Sequence, residues 1–244
     1  MKKLHIKDKL EEIGVSVDSI VLGDFDRLGE FCAKRERSSN DPNYKKYGLY
    51  YRSNYERGIL IYYLIRQFNL SSMLEIGFGR GYGTFCAAKA FHDAGIVGKV
   101  TTVDPNFDER FMSALNQVLP KEWFNYVQFA KGTSSDVIPQ LNQEYDLVYV
   151  DGDHSYLGTK SDWENVRSRF NSFCLFDDYH LPSKDDPGIR CRDAIDEIIE
   201  DDIKCNEKEL ILMDRLIFND DKRDVVRDYG QVLLTKQGIK RDDW

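Results

Sequence analysis

Short apolar runs rich in β-branched residues alternate with longer amphipathic stretches from about residue 70 onward. This alternation predicts parallel strands joined by helices, because two parallel strands need a crossover connection. The sequence therefore predicts an α/β fold with a doubly wound, mostly parallel sheet of seven strands. The predicted strands are 72–76, 99–103, 125–130, 145–150 and 173–176, with a late pair near 210–213 and 231–235. The predicted helices between them are 82–94, 107–118, 134–141 and 156–170.

The first 55 residues differ in composition from the rest of the chain. They contain a turn-rich stretch at 38–43 and a dense set of tyrosines: Tyr44, Tyr47, Tyr50, Tyr51 and Tyr55. We predict that residues 1–55 form an N-terminal helical and loop extension and that residues 56–244 form the main domain. The tyrosines either line a lid over the substrate or pack against the domain. The segment 55–68 has apolar residues at helical spacing, which predicts a helix packed on the sheet.

The charge and the apolar content of the chain exclude several classes of function. The chain carries 34 basic and 42 acidic residues, a net charge of −8, and this balance argues against binding to nucleic acids or anionic membranes. The longest apolar run, 59–65, is far shorter than the roughly 18 residues of a transmembrane helix. The start has no apolar signal segment, and the five cysteines include no C-x-x-C pair. We therefore predict a cytoplasmic protein, and a homo-oligomer is compatible with these features.

A glycine-rich loop follows the first of the predicted strands, in the segment 77–83. Glycines at such a position permit a tight turn and a close approach of a ligand to the backbone, and the helix that follows offers free N–H groups. The dinucleotide-binding pattern G-x-G-x-x-G fails here, because its third glycine would fall on Tyr82 or Thr84. The loop therefore argues against a nicotinamide-dependent dehydrogenase.

The spacing Glu75-x-Gly77-x-Gly79-x-Gly81 instead resembles the first motif of class I S-adenosylmethionine-dependent methyltransferases. The next predicted strand leads into Asp104, 27 residues after Gly77, and a carboxylate there can accept hydrogen bonds from both ribose hydroxyls of an adenosine ligand. The resemblance implies a Rossmann-like fold and S-adenosylmethionine as the cofactor. It also implies the residues that bind this cofactor: Glu75, Gly77 and Tyr82 near the methionine part, Gly79 and Gly81 in the loop, Asp104 at the ribose, and Ser134 and Ser135 beside the adenine.

Acidic residues are concentrated at the ends of the fourth and fifth predicted strands. Asp151 follows the fourth strand, and Asp177 and Asp178 follow the fifth. Because neighbouring parallel strands end at the same edge of a sheet, we expect these three carboxylates to converge. Carboxylates so close together need a compensating cation or shifted pKa values, and oxygen ligands favour a hard divalent ion such as Mg²⁺. The sequence therefore predicts a metal site formed by Asp151, Asp177 and Asp178.

The same acidic residues, together with the segment 131–141, resemble catechol O-methyltransferase and its metal-dependent relatives, and also sugar O-methyltransferases of antibiotic biosynthesis. The resemblance covers roughly residues 55–180. It implies a divalent-metal-dependent O-methyltransferase that acts on a hydroxyl of a small molecule, either catechol-like or a sugar diol. The catechol enzymes have a lysine base three residues after the metal-binding acid, whereas this chain has His154. The general base is therefore His154, or Asp151 as in the sugar enzymes.

Two other functions are compatible with the sequence. One is a metal-independent methyltransferase that acts on nitrogen or on a protein side chain, and the three acidic residues argue against it. The other is a non-catalytic module that binds the cofactor. The presence of the loop glycines, Asp104 and the metal-binding acids argues against this module.

Overall fold

The computed structural model describes residues 2–5, 55–79, 81–107, 109–179, 188, 190–201, 205–212, 230–236 and 239. Apart from residues 2–5 and Tyr55, the predicted N-terminal extension and its tyrosine lid therefore lie outside the described residues. Within the described ranges, no helix is long and apolar enough to cross a membrane.

Eight strands form one sheet in the described part of the chain. They are β1 (Lys2–His5), β2 (Ser72–Ile76), β3 (Lys99–Asp104), β4 (Val127–Lys131), β5 (Tyr145–Val150), β6 (Phe170–Phe176), β7 (Cys205–Leu212) and β8 (Gly230–Lys236). Their order across the sheet is β1-β7-β8-β6-β5-β2-β3-β4. Every neighbouring pair is parallel except the two pairs that β8 forms with β6 and β7. This confirms the predicted mostly parallel, Rossmann-like α/β fold.

The prediction of seven strands is one strand short. All seven predicted strands are present, and β1 adds an eighth at the edge, where it pairs in parallel with residues 209–212 of β7. The sequence of β1, Lys-Lys-Leu-His, is short and mostly polar, so no strand pattern identifies it. Its extended conformation depends on pairing with β7, which is distant in the sequence.

The described residues also form six α-helices: α1 (Tyr55–Phe68), α2 (Tyr82–Ala94), α3 (Glu109–Val118), α4 (Ser134–Val137), α5 (Tyr156–Val166) and α6 (Cys191–Asp201). Short 3₁₀ segments, Lys121–Tyr126 and Ile138–Gln140, precede β4 and β5. The predicted helix 134–141 is thus a single α-helical turn followed by a 3₁₀ turn, because Pro139 has no N–H to donate to a longer helix. The predicted helix 156–170 ends at Val166, since Phe170 already begins β6.

The sheet has a hydrophobic core on each of its faces. Alternate residues of a strand point to opposite faces, so Leu147 and Phe173 pack with α1 and α2, whereas Val148 and Phe176 pack with α5 and α6. All four side chains are fully buried, and burial of one such side chain stabilises the fold by about 1.5–3 kcal/mol. The central strands are therefore firmly held, and the loops at their carboxyl ends have defined positions.

The carboxyl ends of the central strands bring the predicted site loops side by side. Three backbone hydrogen bonds extend the ladder past the strand ends: Gly77 N–H to Val103 O at 2.9 Å, Asp151 N–H to Ile76 O at 2.9 Å, and Asp177 N–H to Val150 O at 3.0 Å. The chain runs outward from β2 to β4 on one side and outward from β5 to β6 on the other, so the strand order reverses between β2 and β5. Ligands of open α/β sheets bind at such a reversal, beside the carboxyl ends of the strands.

Candidate active site

The loop after β2 lies directly against the chain at the end of β5. Gly77 has a φ of 88°, in the left-handed region that side chains rarely adopt. A Cβ atom at Gly77 would lie 1.9 Å from the backbone carbonyl oxygen of Asp151. This close approach therefore requires glycine, and it puts the glycine loop in direct contact with the predicted metal-binding loop.

Asp104 ends β3 with its carboxylate turned toward the glycine loop. Its Oδ2 accepts a hydrogen bond from the N–H of Gly79 at 3.1 Å, and its Oδ1 accepts one from the N–H of Asn106 at 2.6 Å. Gly81, two residues after Gly79, is the N-cap of α2. The structure thus brings together a buried carboxylate and the N–H groups of a helix terminus, which suits a ligand that carries both hydroxyl groups and an anionic group.

Glu75 lies beneath the glycine loop and inside the domain, with 1% of its surface exposed. Its Oε2 accepts hydrogen bonds from the hydroxyls of Thr84 in α2 and Thr102 in β3, the latter at 2.7 Å. Burial raises the pKa of Glu75 to about 7, although the two threonine hydrogen bonds act in the opposite direction. Glu75 therefore joins β2, β3 and the start of α2, and it supports the loop from below.

Tyr82, the first residue of α2, packs against α1. A Cβ atom at Gly58 of α1 would lie 2.4 Å from Cε1 of Tyr82 and 2.2 Å from Sγ of Cys86. The absence of a side chain at Gly58 thus leaves room for the tyrosine ring. This contact fixes the first turn of α2, which begins where the glycine loop ends.

Ser134 and Ser135 begin α4, the short helix after β4. The hydroxyl of Ser134 donates to Oδ1 of Asp162 at 2.5 Å, and Nδ2 of Asn165 donates to the hydroxyls of Ser134 and Ser135 at 3.3 Å and 3.1 Å. Asp162 is 5% exposed. A Cβ atom at Gly152 would lie 2.6 Å from its Oδ2. Asp162 therefore connects the predicted adenine-binding segment to the loop after β5.

Asp151, His154 and Asp178 come together at the ends of β5 and β6. Each offers one ligand atom, and these three atoms lie within 4.8 Å of one another. Nδ1 of His154 lies 3.1 Å from Oδ2 of Asp178. Asp178 is buried and has a φ of 51°, so its backbone leaves the extended conformation soon after β6. This acidic cluster contains two of the three predicted metal ligands and both candidates for the base.

Asp177, the third predicted metal ligand, is not a member of the acidic cluster. Its Oδ2 accepts a hydrogen bond from the Tyr149 hydroxyl at 2.7 Å, and its Oδ1 accepts one from Nε2 of Gln231 at 3.4 Å. The Tyr149 hydroxyl also lies 3.3 Å from Oδ2 of Asp151. Asp178, with its left-handed backbone, turns its carboxylate toward His154, whereas Asp177 faces Tyr149.

Residues 74–179 match a family model described as a methyltransferase domain. The matched segment includes the glycine loop, Asp104 and the acidic cluster. This segment is therefore similar to a methyltransferase domain. The match confirms the resemblance to methyltransferases that the glycine motif carries.

Solved structures of methyltransferases share the fold of this chain. The O-methyltransferase TomG from Streptomyces achromogenes, involved in tomaymycin synthesis and solved in complex with SAM, has a TM-score of 0.60 and 17% identity over 87% of this chain and 89% of its own. An O-methyltransferase from Bacillus cereus, in complex with SAH, has a TM-score of 0.60 and 14% identity over 90% of this chain and 95% of its own. A comparison with curated proteins gives no match. The shared fold thus extends beyond the matched segment 74–179 to most of the chain.

Asp162 is a residue of the matched segment 74–179 that the sequence prediction missed. The buried residues of α5 are Thr159, Asp162, Trp163 and Val166, at the spacing of one helix face. A carboxylate on a face that is otherwise largely apolar is the signal that identifies such a residue, because a buried carboxyl group needs hydrogen-bond partners. Burial also raises the pKa of Asp162. Because Asp162 is buried, the hydrogen bond from the Ser134 hydroxyl holds its carboxyl group in place, and water does not.

We expect Asp162→Ala to raise the Kd for S-adenosylmethionine by roughly 10-fold or more, since a hydrogen bond to a charged group contributes about 1.5–3 kcal/mol. The loss arises because Ser134 would no longer be held at the predicted adenine-binding segment. Asp162→Asn keeps an acceptor oxygen and should bind within a few-fold of the wild type. Titration calorimetry with the cofactor measures both variants, and an unchanged Kd in Asp162→Ala would contradict the prediction.

We expect the stability of the fold to depend on the protonation of Glu75. Folding raises the pKa of this carboxyl group from 4.5 to about 7, so the folded state favours the protonated form. The resulting stabilisation is complete below pH 4.5, decreases as the pH rises, and is lost above pH 7, a change of about 3 kcal/mol.

Urea unfolding of the wild type and of Glu75→Gln at pH 5 and pH 8 measures this dependence. Glutamine cannot ionise, so the variant should gain about 2.5 kcal/mol relative to the wild type between pH 5 and pH 8. The comparison cancels the contribution of the other titrating groups. The same difference in unfolding free energy between the two proteins at both pH values would contradict the role of Glu75.

Proposed function

We propose that this chain is an S-adenosylmethionine-dependent O-methyltransferase that uses a divalent metal ion to bind a hydroxyl group of a small molecule. The observation that carries the proposal is the close contact of Gly77 with the backbone of Asp151. It joins the loop that would hold the methyl donor to the acidic cluster that would hold the metal ion. A donor on the loop and an acceptor at the cluster would therefore be neighbours, as methyl transfer requires.

The donor site would be formed by the residues that the methyltransferase motif implies. Asp104 would offer its carboxylate to the ribose hydroxyls, and the hydrogen bond from the N–H of Gly79 holds this carboxylate beside the glycine loop. Ser134 and Ser135 would lie beside the adenine, and Glu75 would support the loop from below. TomG in complex with SAM and the Bacillus cereus enzyme in complex with SAH share the fold and support this choice of donor.

The donor atoms of the acidic cluster fit a divalent metal ion. Two carboxylates and an imidazole within 4.8 Å of one another can share one small cation, whose charge would offset the repulsion between Asp151 and Asp178. A bound ion supplies Lewis acidity, which lowers the pKa of a hydroxyl group and fixes its position. The ligands predicted from the sequence, Asp151, Asp177 and Asp178, are all carboxylates. Because hard divalent cations prefer oxygen ligands, this set implies Mg²⁺ or another such ion.

His154 or Asp151 would take the proton of the acceptor hydroxyl. The side chain of His154 is 39% exposed, so an acceptor can reach it from solvent. The backbone oxygen of His154 accepts hydrogen bonds from the N–H of Arg190 at 2.8 Å and from the thiol of Cys191 at 3.2 Å, which hold the loop in place. The deprotonated oxygen would then form a bond to the methyl carbon while the carbon–sulfur bond breaks and its electron pair stays on sulfur.

The acceptor would be a small molecule with two adjacent oxygens, either catechol-like or a sugar diol. The resemblance to catechol and sugar O-methyltransferases supports this class. The net charge of −8 favours a small-molecule acceptor over a nucleic acid, because nucleic-acid binding needs a basic surface.

Removal of divalent ions is expected to lower the rate of methyl transfer by about 100-fold or more, because Lewis acidity contributes several kcal/mol to such reactions. The purified chain is incubated with labelled S-adenosylmethionine and a panel of catechols and sugar diols, with and without EDTA. Addition of excess Mg²⁺ or Mn²⁺ after EDTA should restore transfer.

Transfer that EDTA leaves unchanged would contradict the metal role and favour a metal-independent enzyme that acts on nitrogen or on a protein side chain. Binding of S-adenosylmethionine in a calorimeter, with no transfer to any acceptor under any metal condition, would instead favour a non-catalytic cofactor-binding module.

A further inference from the structure

We infer that the third protein ligand of the metal ion is Nδ1 of His154, and that Asp177 is a positioning residue for the site rather than a ligand. The inference rests on the metal role proposed above, and it changes both the ligand set and the metal preference predicted from the sequence. It is carried by the geometry of the acidic cluster and by the hydrogen bonds of Asp177.

The three atoms of the acidic cluster are spaced for a shared ion. Ligand atoms bind small divalent cations at roughly 2.0–2.2 Å, so two ligands of one ion lie up to about 4.4 Å apart. The ligand atoms of Asp151, His154 and Asp178 lie within 4.8 Å of one another, which requires only a small adjustment. Nδ1 of His154 is 3.1 Å from Oδ2 of Asp178, a normal separation for two adjacent ligands.

The carboxylate of Asp177 is held away from the acidic cluster by two side chains. Its Oδ2 accepts from the Tyr149 hydroxyl at 2.7 Å, and its Oδ1 accepts from Gln231 at 3.4 Å. Asp177 is 3% exposed and Gln231 is fully buried, so a move of Asp177 toward the cluster would leave buried polar groups without these partners. Asp177 is therefore committed to contacts inside the domain.

Asp177 still acts on the site through Tyr149. The Tyr149 hydroxyl lies 2.7 Å from Asp177 and 3.3 Å from Oδ2 of Asp151, so its single proton is shared unequally between the two carboxylates, with the shorter hydrogen bond to Asp177. Groups that hydrogen-bond to a metal ligand fix its orientation. Asp177 and Tyr149 thus hold Asp151 in the position in which it can bind an ion.

An imidazole ligand changes the expected chemistry of the site. Nitrogen donors favour first-row transition ions over Mg²⁺, which prefers oxygen ligands. With Nδ1 bound to the ion, the ring proton of His154 resides on Nε2, so His154 has no free nitrogen to accept a proton. Of the two bases that the sequence leaves open, only Asp151 is then available.

The test uses Mn²⁺ alone as the probe, with the full chain and with neither donor nor acceptor present. Pulsed electron paramagnetic resonance detects the magnetic coupling of Mn²⁺ to a directly bound imidazole nitrogen. We expect this coupling in the wild type and in Asp177→Asn, and we expect its loss in His154→Gln. The Kd for Mn²⁺ should rise at least 10-fold in His154→Gln and less in Asp177→Asn.

Selective labelling of histidine with ¹⁵N changes the coupling in the wild type itself, so the test stays valid if a variant does not fold. No nitrogen coupling in Mn²⁺-loaded wild type, or coupling that persists in folded His154→Gln, would overturn the inference. Loss of Mn²⁺ binding in Asp177→Asn alone would also overturn it and restore Asp177 as a ligand. Histidine-dependent coupling without methyl transfer to any hydroxyl would leave the inference intact and contradict only the proposed reaction.

Discussion

Gly77→Ala is expected to lower the free energy of unfolding by about 2–5 kcal/mol and to abolish binding of S-adenosylmethionine and Mn²⁺ together. The left-handed backbone at Gly77, with a φ of 88°, adds about 1–2 kcal/mol of strain for any residue with a side chain. The new methyl group would also lie 1.9 Å from the carbonyl oxygen of Asp151, and overpacking of this kind costs about 1–3 kcal/mol. Because the clash is with backbone, the loop after β5 has to move.

Gly79→Ala is the matched control for this substitution. Gly79 has a φ of 50°, and a Cβ atom there would have no atom within 4 Å, so only the backbone strain of about 1–2 kcal/mol applies. Urea unfolding gives the stabilities of both variants, and Mn²⁺ titration reports on the acidic cluster. Equal destabilisation of the two variants, or normal Mn²⁺ binding in Gly77→Ala, would contradict the coupling between the two loops.

Strand periodicity and strand direction predict correctly which residues reach the same edge of the sheet. The predicted strands 72–76 and 145–150 coincide with β2 and β5, so the glycine loop and Asp151 follow neighbouring strands as expected. Asp104 and Asp178 follow the next strands outward. These positions follow from local hydrophobic patterns and from the short loops between elements. Both features can be read from a single sequence.

The direction of each side chain at that edge could not be predicted in the same way. Asp177 and Asp178 are adjacent and chemically identical, and only the left-handed backbone of Asp178 turns its carboxylate toward His154. The partners of Asp177, Tyr149 and Gln231, lie on different strands, and each is a polar side chain within an apolar segment. Such contacts arise from the tertiary arrangement, which the spacing of residues along the chain does not encode.

Asp151→Asn is expected to lower the turnover of the proposed methyl transfer by at least about 1000-fold. Asp151 would be both a metal ligand and the candidate base, and general base catalysis alone contributes about 10²–10⁴-fold. Asparagine has nearly the same shape, and the backbone N–H at residue 151 would still donate to Ile76 O. The fold should therefore persist, and loss of one negative charge beside Asp178 should leave the free energy of unfolding equal or higher.

Two other neutralising substitutions separate this effect from a general loss of charge. Asp177→Asn alters a residue that acts on Asp151 through Tyr149, so we expect a smaller loss of about 10–100-fold. Glu164→Gln removes a carboxylate that pairs with Arg167 on the surface of α5, and its rate should equal that of the wild type. Initial rates at saturating Mn²⁺ and S-adenosylmethionine rank the three variants. A rate in Asp151→Asn above a tenth of the wild-type value would exclude Asp151 as the base, because asparagine cannot accept the proton and another group would have to do so.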